Sequence, residues 1–314
     1  MKKVFAIIFV NAAIFILLLG FAELLVRIFV PEINLAGLDK HLLKDDIFYS
    51  SRGMIANASG MNYGYPFKTD ENGFARYSKS VKNGKKILYI GDSVTMGIGV
   101  EEDSTFAGII NNTQPYRILN PSLIGYARQD YINVIKKLFV EQKNNLGITG
   151  VNLFWCLNDV YNFYPENTTP EIKPTGITGS AFNIFKNNFK LFQFIKNTFT
   201  DRPKSYFLYD EQFYKPGNKL FTESVSDLLT ISDILKEAKI PFHVYLLPYE
   251  YQLRKGIYKP QQLLSNALKM NNLQVNDLTS LFAKQKNCKE LYLYGDGIHF
   301  SEKGHRLIAD FLSR

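Results

Sequence analysis

KKILYIGDSVTMGIGV, residues 85–100, runs from two lysines through a short apolar stretch into Gly91-Asp92-Ser93. The apolar run Ile87–Ile90, closed by a glycine, reads as a short buried strand. Glycine permits a tight exit from such a strand. Ser93 then stands at the start of a turn or helix, where backbone N–H groups lack partners within the helix. Two readings follow. Asp92 and Ser93 form an ordinary turn or cap, or Ser93 is a nucleophile that needs a base from elsewhere in the chain.

Outward from this stretch, strands alternate with helices. STFAGIINN (104–112) reads as a helix and YRILN (116–120) as the end of a strand. ARQDYINVIKKLFVEQKN (127–144) carries apolar residues at Tyr131, Ile132, Ile135 and Leu138, a helical stripe opposite a charged face. GVNLFWCLND (150–159) reads as a central strand. FTESVSDLLTISDILKEAKI (221–240) is a helix, PFHVYLLPY (241–249) a strand and QQLLSNALKM (261–270) a helix. A last apolar run, ELYLY (290–294), leads into GDGIHFSEKGHRLIADFLSR, whose end is helical. This alternation predicts an α/β fold with a mostly parallel sheet covered on both faces.

Composition supports one folded body of this kind. The chain has 314 residues, 46% hydrophobic and 21% charged, which argues against bulk disorder. The net charge of +8 fits contact with an anionic surface. No Arg-rich helix, zinc spacing or aromatic strand motif points to nucleic acid. The two cysteines, Cys156 and Cys288, say little about redox compartment. Cys156, in an apolar run, reads as core.

The N-terminus is informative. After Lys2 and Lys3, residues 4–22 hold one polar side chain, Asn11, and no charge. As a helix they span roughly 28 Å, close to a hydrocarbon core. Lysines on the near side favour a cytoplasmic N-terminus and a catalytic body on the far side, at a single-pass cell-membrane anchor. Glu23 and Arg27, four apart, can pair near the far interface. Gly20 and Ala22 leave a cleaved signal peptide as the rival. The expected organisation is an anchor at 1–30, a membrane-proximal extension at 31–84 and a main domain at 85–314. Within the main domain, about 160–217 reads as an insertion. There SAFNIFKNNFKLFQFIKNTF (180–199) places Phe182, Phe185, Phe189, Phe192 and Phe199 near one helical face with lysines around them. Such a basic amphipathic helix lies on a membrane, covers a cleft, or packs on the domain.

Three spots carry candidate chemistry, each placed at a strand end, where sites gather in open α/β sheets. The first is Ser93. The second is Asn158-Asp159, whose Asn amide can donate to negative oxygen developing in a transition state; an ordinary N-cap is the alternative. The third is DGIHFSEKGH (295–305 less its first glycine). Asp296 and His299 are three apart, so the carboxylate can fix one imidazole nitrogen and leave the other to take a serine proton. His305 reads as a packing residue, His243 as structural, and His41 is unassigned. A metal held by Asp296, His299 and His305 lacks a well-placed third acidic ligand.

These blocks together resemble the SGNH (GDSL-type) hydrolase superfamily, in particular its membrane-anchored bacterial esterase- and acyltransferase-like members. GDSVTMG resembles the first block, CLND the third (with Cys156 in place of a glycine), and DGIH the last. TDENGFARYS and AELLVRIFVP resemble segments of the anchored members. The resemblance covers about 70–314. It implies a flavodoxin-like three-layer α/β/α sandwich with a mostly parallel sheet, preceded here by the N-terminal transmembrane helix. It implies Ser93 as nucleophile, Asp296 and His299 as its partners, and an oxyanion hole from the N–H groups of Ser93 and Ser122 with Asn158. Ser122, in LNPSLIGY, takes the place of the second block's glycine, with Gly125 three residues on.

The expected activity is serine-dependent hydrolysis of acetyl or other short acyl esters on an extracytoplasmic glycan, through an acyl-enzyme and without cofactor or metal. The alternatives are an O-acyltransferase working on an envelope polysaccharide, alone or with a membrane acyltransferase as partner, a lipid esterase, and a non-catalytic glycan-binding or assembly protein. The expected partners are thus an acylated glycan or lipid substrate and the membrane, not nucleic acid.

Overall fold

The computed structural model describes residues 2–30, 33, 37–79, 84–162 and 188–314. Of the expected insertion, residues 163–187, with Phe182 and Phe185, lie outside the described residues. The chain divides into two compact units, one from residues 1–36 and 170–201, the other from 37–169 and 202–314.

The strands are β1 (Leu43–Phe48), β2 (Ser51–Met54), β3 (Ser59–Asn62), β4 (Tyr65–Lys68), β5 (Lys86–Gly91), β6 (Arg117–Leu119), β7 (Ile148–Trp155), β8 (Phe242–Leu246) and β9 (Gln274–Asp277). The helices are α1 (Lys2–Phe29), α2 (Ser93–Met96), α3 (Phe106–Thr113), α4 (Arg128–Ile135), α5 (Lys190–Phe199), α6 (Arg202–Glu211), α7 (Lys219–Glu237), α8 (Glu250–Lys255), α9 (Lys259–Met270), α10 (Thr279–Ala283) and α11 (Glu302–Leu312).

Five strands form one sheet in the order β6-β5-β7-β8-β9, and every neighbouring pair is parallel. Alternate residues of a strand face opposite ways, so β7 shows which helices cover which face. Phe154 packs on Phe106 of α3 with ring centres 4.6 Å apart, and His305 of α11 packs on Phe106 at 5.5 Å. Its neighbour Trp155 points the other way, toward Tyr131 of α4 at 6.4 Å. Helix α7 runs beside α4, held by Arg128, whose guanidinium bonds Glu223 and Asp227. The result is the three-layer α/β/α body expected. Tyr89, Phe154 and Tyr245, from three adjacent strands, form one aromatic row on the α3 face, with neighbouring ring centres 5.0 Å apart. Such offset contacts add about 0.5–1.5 kcal/mol each beyond burial.

The sheet order matters for function. Numbered within the sheet it is 2-1-3-4-5, so the order in which strands are added across the sheet reverses between the first and third strands, β5 and β7. A crevice opens beyond the C-terminal ends of two strands at such a point. Gly91 pairs with Phe154 across β5 and β7, which puts the segments after both strands side by side.

One expectation needs correction. ELYLY is no strand of the sheet: Cys288–Leu291 is a 3-10 turn, and Tyr292 makes only an isolated bridge to Phe300. The last strand is instead β9, QVND. It has four residues, three of them polar, and pairs on one side only. Neither apolar run nor alternation marks it.

Two antiparallel hairpins, β1–β2 and β3–β4, belong to the same unit as the sheet. Ser51 donates to Asp130 on α4 at 2.5 Å, and Asn62 donates to the carbonyl of Gly97 at 3.2 Å, just past α2. The turn expected in TDENGFARYS is present, with Gly73 at φ +77° between the bridged residues Thr69 and Ala75.

In the other unit, Lys3–Phe29 is long and apolar enough to cross a membrane, with mean hydropathy 2.8, and its side chains are almost all exposed. Glu23 and Val26 are the buried ones, at 8% and 7% exposed. The Glu23 carboxylate accepts the N–H groups of Lys190 (3.0 Å) and Leu191 (2.7 Å) and pairs with Arg27 at 2.7 Å, so the expected i, i+4 pair also caps the first turn of α5.

Candidate active site

The segment after β5 explains its own sequence. Gly91 has no room for a side chain: a Cβ would lie 2.1 Å from Thr95 Oγ1 and 2.8 Å from the carbonyl of Phe154. Asp92 caps α2, accepting the Val94 N–H at 2.9 Å. Ser93 is the first residue of α2 and 6% exposed. Its backbone N–H has no acceptor among the described residues. The cap and the nucleophile readings of Gly-Asp-Ser are therefore compatible, with Asp92 as the cap.

Ser93 Oγ lies 2.9 Å from His299 Nε2, across 206 positions of sequence. His299 Nδ1 lies 2.8 Å from Asp296 Oδ1, and that same oxygen accepts the N–H groups of Ile298 (3.0 Å) and His299 (2.8 Å). The loop is thus a local turn that ties the imidazole to the carboxylate. Gly297, at φ +80°, lets it pass Pro203 at the start of α6, where a Cβ would meet the proline ring at 2.4 Å. With the Asp296 carboxylate accepting a hydrogen bond from Nδ1–H, the lone pair on Nε2 faces the serine hydroxyl.

The charges agree with this tautomer. For Asp296, burial would raise the pKa, but the His299 charge and hydrogen bonds hold it well below the usual carboxylate range. For His299, burial would lower the pKa, but the Asp296 carboxylate more than offsets it and the net shift is upward. Asp92, fully buried, is pushed up by desolvation, which the His299 charge partly offsets.

Asn158 follows β7 directly. Its Nδ2 donates to Asp92 Oδ2 at 3.4 Å, so the amide nitrogen is turned toward the Ser93 segment. A primary amide has two N–H groups, and the second takes no acceptor among the described residues. Asp159 is different: it is 0% exposed and accepts the Cys156 N–H at 2.7 Å, closing the turn. Cys156 is buried core, and neither cysteine is in a disulfide.

Ser122 departs from its expected place. Its N–H donates to Asn120 Oδ1 at 3.1 Å, and its hydroxyl, buried, has no partner among the described residues. The N–H assigned to an oxyanion is already occupied. Gly125, at φ +82° and half-buried on the same segment, carries an N–H with no acceptor among the described residues.

The other histidines are accounted for. His305 is 1% exposed, accepts the Phe106 N–H at 3.2 Å, and is pushed down to about 3 by burial. His41 bonds the Ser59 carbonyl at 3.0 Å. His243 is in β8. Among the described residues no group of three or more His, Cys, Asp and Glu side chains could hold a metal ion.

No protein-family model and no curated protein sequence matches the chain. Solved structures with a similar trace include a lipase/acylhydrolase from Enterococcus faecalis (16% identical, covering 73% of this chain and 93% of that one, TM-score 0.43). They include a catalytic mutant of an acetylxylan esterase from Geobacillus stearothermophilus (16% identical, 74% and 95% covered, TM-score 0.45). A member of the lipolytic protein G-D-S-L family from Veillonella parvula is 14% identical, with 72% and 95% covered and a TM-score of 0.42. At such identities and scores these likenesses carry no inference about activity. The side-chain geometry has to do so.

Proposed function

We propose that this protein is a serine-dependent ester hydrolase. The observation that carries the reading is the continuous line from Ser93 Oγ through His299 to Asp296, with contacts of 2.9 and 2.8 Å. Serine alone is a weak nucleophile, and a base within hydrogen-bond reach activates it. In the proposed course His299 Nε2 takes the hydroxyl proton as Ser93 Oγ attacks the ester carbonyl. The carbonyl oxygen becomes an oxyanion. The Ser93 N–H and the second N–H of the Asn158 amide stabilise it. The third donor passes from Ser122 to the N–H of Gly125, which is half-buried and has no acceptor among the described residues. His299 then protonates the leaving alkoxide. Water, deprotonated by the same nitrogen, releases the acyl group from Ser93. Asp296 holds the imidazole in the required tautomer throughout.

The substrate proposed is an acetyl or short acyl ester on a glycan outside the cytoplasm. Its support is the resemblance in three sequence blocks together with the apolar α1 behind two lysines, which favours a single-pass anchor and a catalytic body on the far side. Incubation of the full chain in detergent with an acetylated polysaccharide tests both parts. Free acetate is expected from the wild type and none from Ser93→Ala. Acetate appearing only on an added sugar acceptor would make the protein a transferase, and release of long fatty acids from lipid esters with no acetate would move the substrate to lipid.

A further inference from the structure

Asn158 is held from its far side by residues that the proton relay does not use. Tyr249, three residues past the end of β8, places its hydroxyl 3.0 Å from Asn158 Oδ1, and the Tyr249 hydroxyl oxygen accepts the Asn158 backbone N–H at 3.2 Å. The Tyr249 hydroxyl also lies 2.8 Å from Asp210 Oδ2 on α6. The other Asp210 oxygen accepts the hydroxyl of Tyr161 at 2.8 Å. Tyr249 is 1% exposed and Asp210 2%.

Counting protons shows what this arrangement can do. Tyr249 has one proton and two acceptors in reach. A buried carboxylate is the stronger acceptor, so a charged Asp210 draws the proton to itself and leaves Asn158 Oδ1 without a donor. When Asp210 is protonated it can donate to the Tyr249 oxygen, and the tyrosine proton turns to Asn158 Oδ1. An amide that accepts at oxygen is fixed in orientation, and its N–H groups are better donors, because bonds in a chain polarise one another. Asp92, on the nitrogen side, opposes a flip, since a flipped amide would set its oxygen against the Asp92 carboxyl.

Burial places the Asp210 switch in an accessible range. Desolvation pushes Asp210 up to about 6, against the two tyrosine hydroxyls that act to lower it. Among the described residues, the titratable groups that feel its charge include Tyr161, Tyr249, Tyr214, Cys156 and Asp159, each pushed up by burial.

We propose that Tyr249 and Asp210 are positioning residues, which hold the Asn158 amide with its nitrogen toward Ser93 and couple its hydrogen bonding to the protonation of Asp210. The consequence for rate rests on the esterase reading; the wiring itself does not. Both are tested on the full chain in detergent with Tyr249→Phe and Asp210→Asn. With p-nitrophenyl acetate at a pH of about 6, where Asp210 is half protonated, Tyr249→Phe is expected to lower kcat about 10- to 100-fold, as a misplaced amide should. KM should stay within about twofold, because only transition-state stabilisation is lost. In parallel, NMR of selectively 15N-labelled asparagine side chains, with the Asn158 signal identified by its loss in Asn158→Gln, should show that amide shifting with a midpoint near the value of about 6 given by Asp210. The shift should be flat in Asp210→Asn. A folded Tyr249→Phe protein with wild-type kcat, or a wild-type Asn158 signal that ignores pH, overturns the proposal. A wild type that releases no p-nitrophenol while its Asn158 signal titrates supports the wiring and overturns the esterase reading instead.

Discussion

The two sides of the site are built differently. On the proton side, Asp296 and His299 sit in one turn, three residues apart, and the carboxylate is organised by N–H groups of that same turn. On the oxyanion side, Asn158 depends on Tyr249 from the next strand's exit and on Asp210 from a helix whose sequence matches no block. A local device needs only its own few residues to be correct. A distributed one needs three elements to meet, so its failures are graded rather than total.

That contrast orders the expected effects. Removing either partner of the serine–histidine pair should abolish most activity: Ser93→Ala and His299→Ala should each lower kcat by about 10,000-fold or more, and the double variant should be little worse than either, since the residues act as a unit. Additive losses in the double variant would break the unit. On the other side, Asn158→Ala should cost about 100- to 1,000-fold in kcat, the usual loss for one oxyanion donor. A loss as large as that of Ser93→Ala would erase the distinction between the two sides.

The pH profile sharpens the relay half. His299 must be neutral to accept the serine proton, and its pKa is raised above the ordinary 6.5 by Asp296. As pH falls, protonation therefore begins early, and kcat/KM should fall with a midpoint above 6.5. The neutral form recovers as pH rises through that midpoint. An acid limb at or below 6.5 would mean that Asp296 does not act on His299 by charge. The smallest effect is reserved for Ser122→Ala. Its hydroxyl has no partner among the described residues and its N–H remains on Asn120, so kcat should change by less than about twofold, under half a kcal/mol of barrier. A hundredfold loss there would restore Ser122 to the oxyanion hole.

The same contrast explains what the amino-acid order disclosed. Strands β5, β7 and β8 are apolar because they are covered on both faces, and each could be read. The relay could be read as well, because a glycine-bounded serine and an Asp-x-x-His turn are local patterns. Strand β9 could not, since an edge strand of Gln274–Asp277 needs little apolar surface. Asp210 and Tyr214 fall in what reads as an insertion, yet Tyr214 accepts the Trp155 indole N–H at 2.8 Å and donates to the Leu157 carbonyl. Their roles come only from tertiary packing. Tyr249 had a usable signal: it closes the strand run PFHVYLLPY, and strand β8 neighbours β7, so its tip had to lie beside Asn158.

The most direct test of the central claim, that His299 activates Ser93, is covalent labelling with a fluorophosphonate followed by intact mass and peptide mapping. One adduct, on Ser93, is expected in the wild type and none in folded His299→Ala. A well-folded wild type that takes no label, or takes it on another residue, would contradict the account.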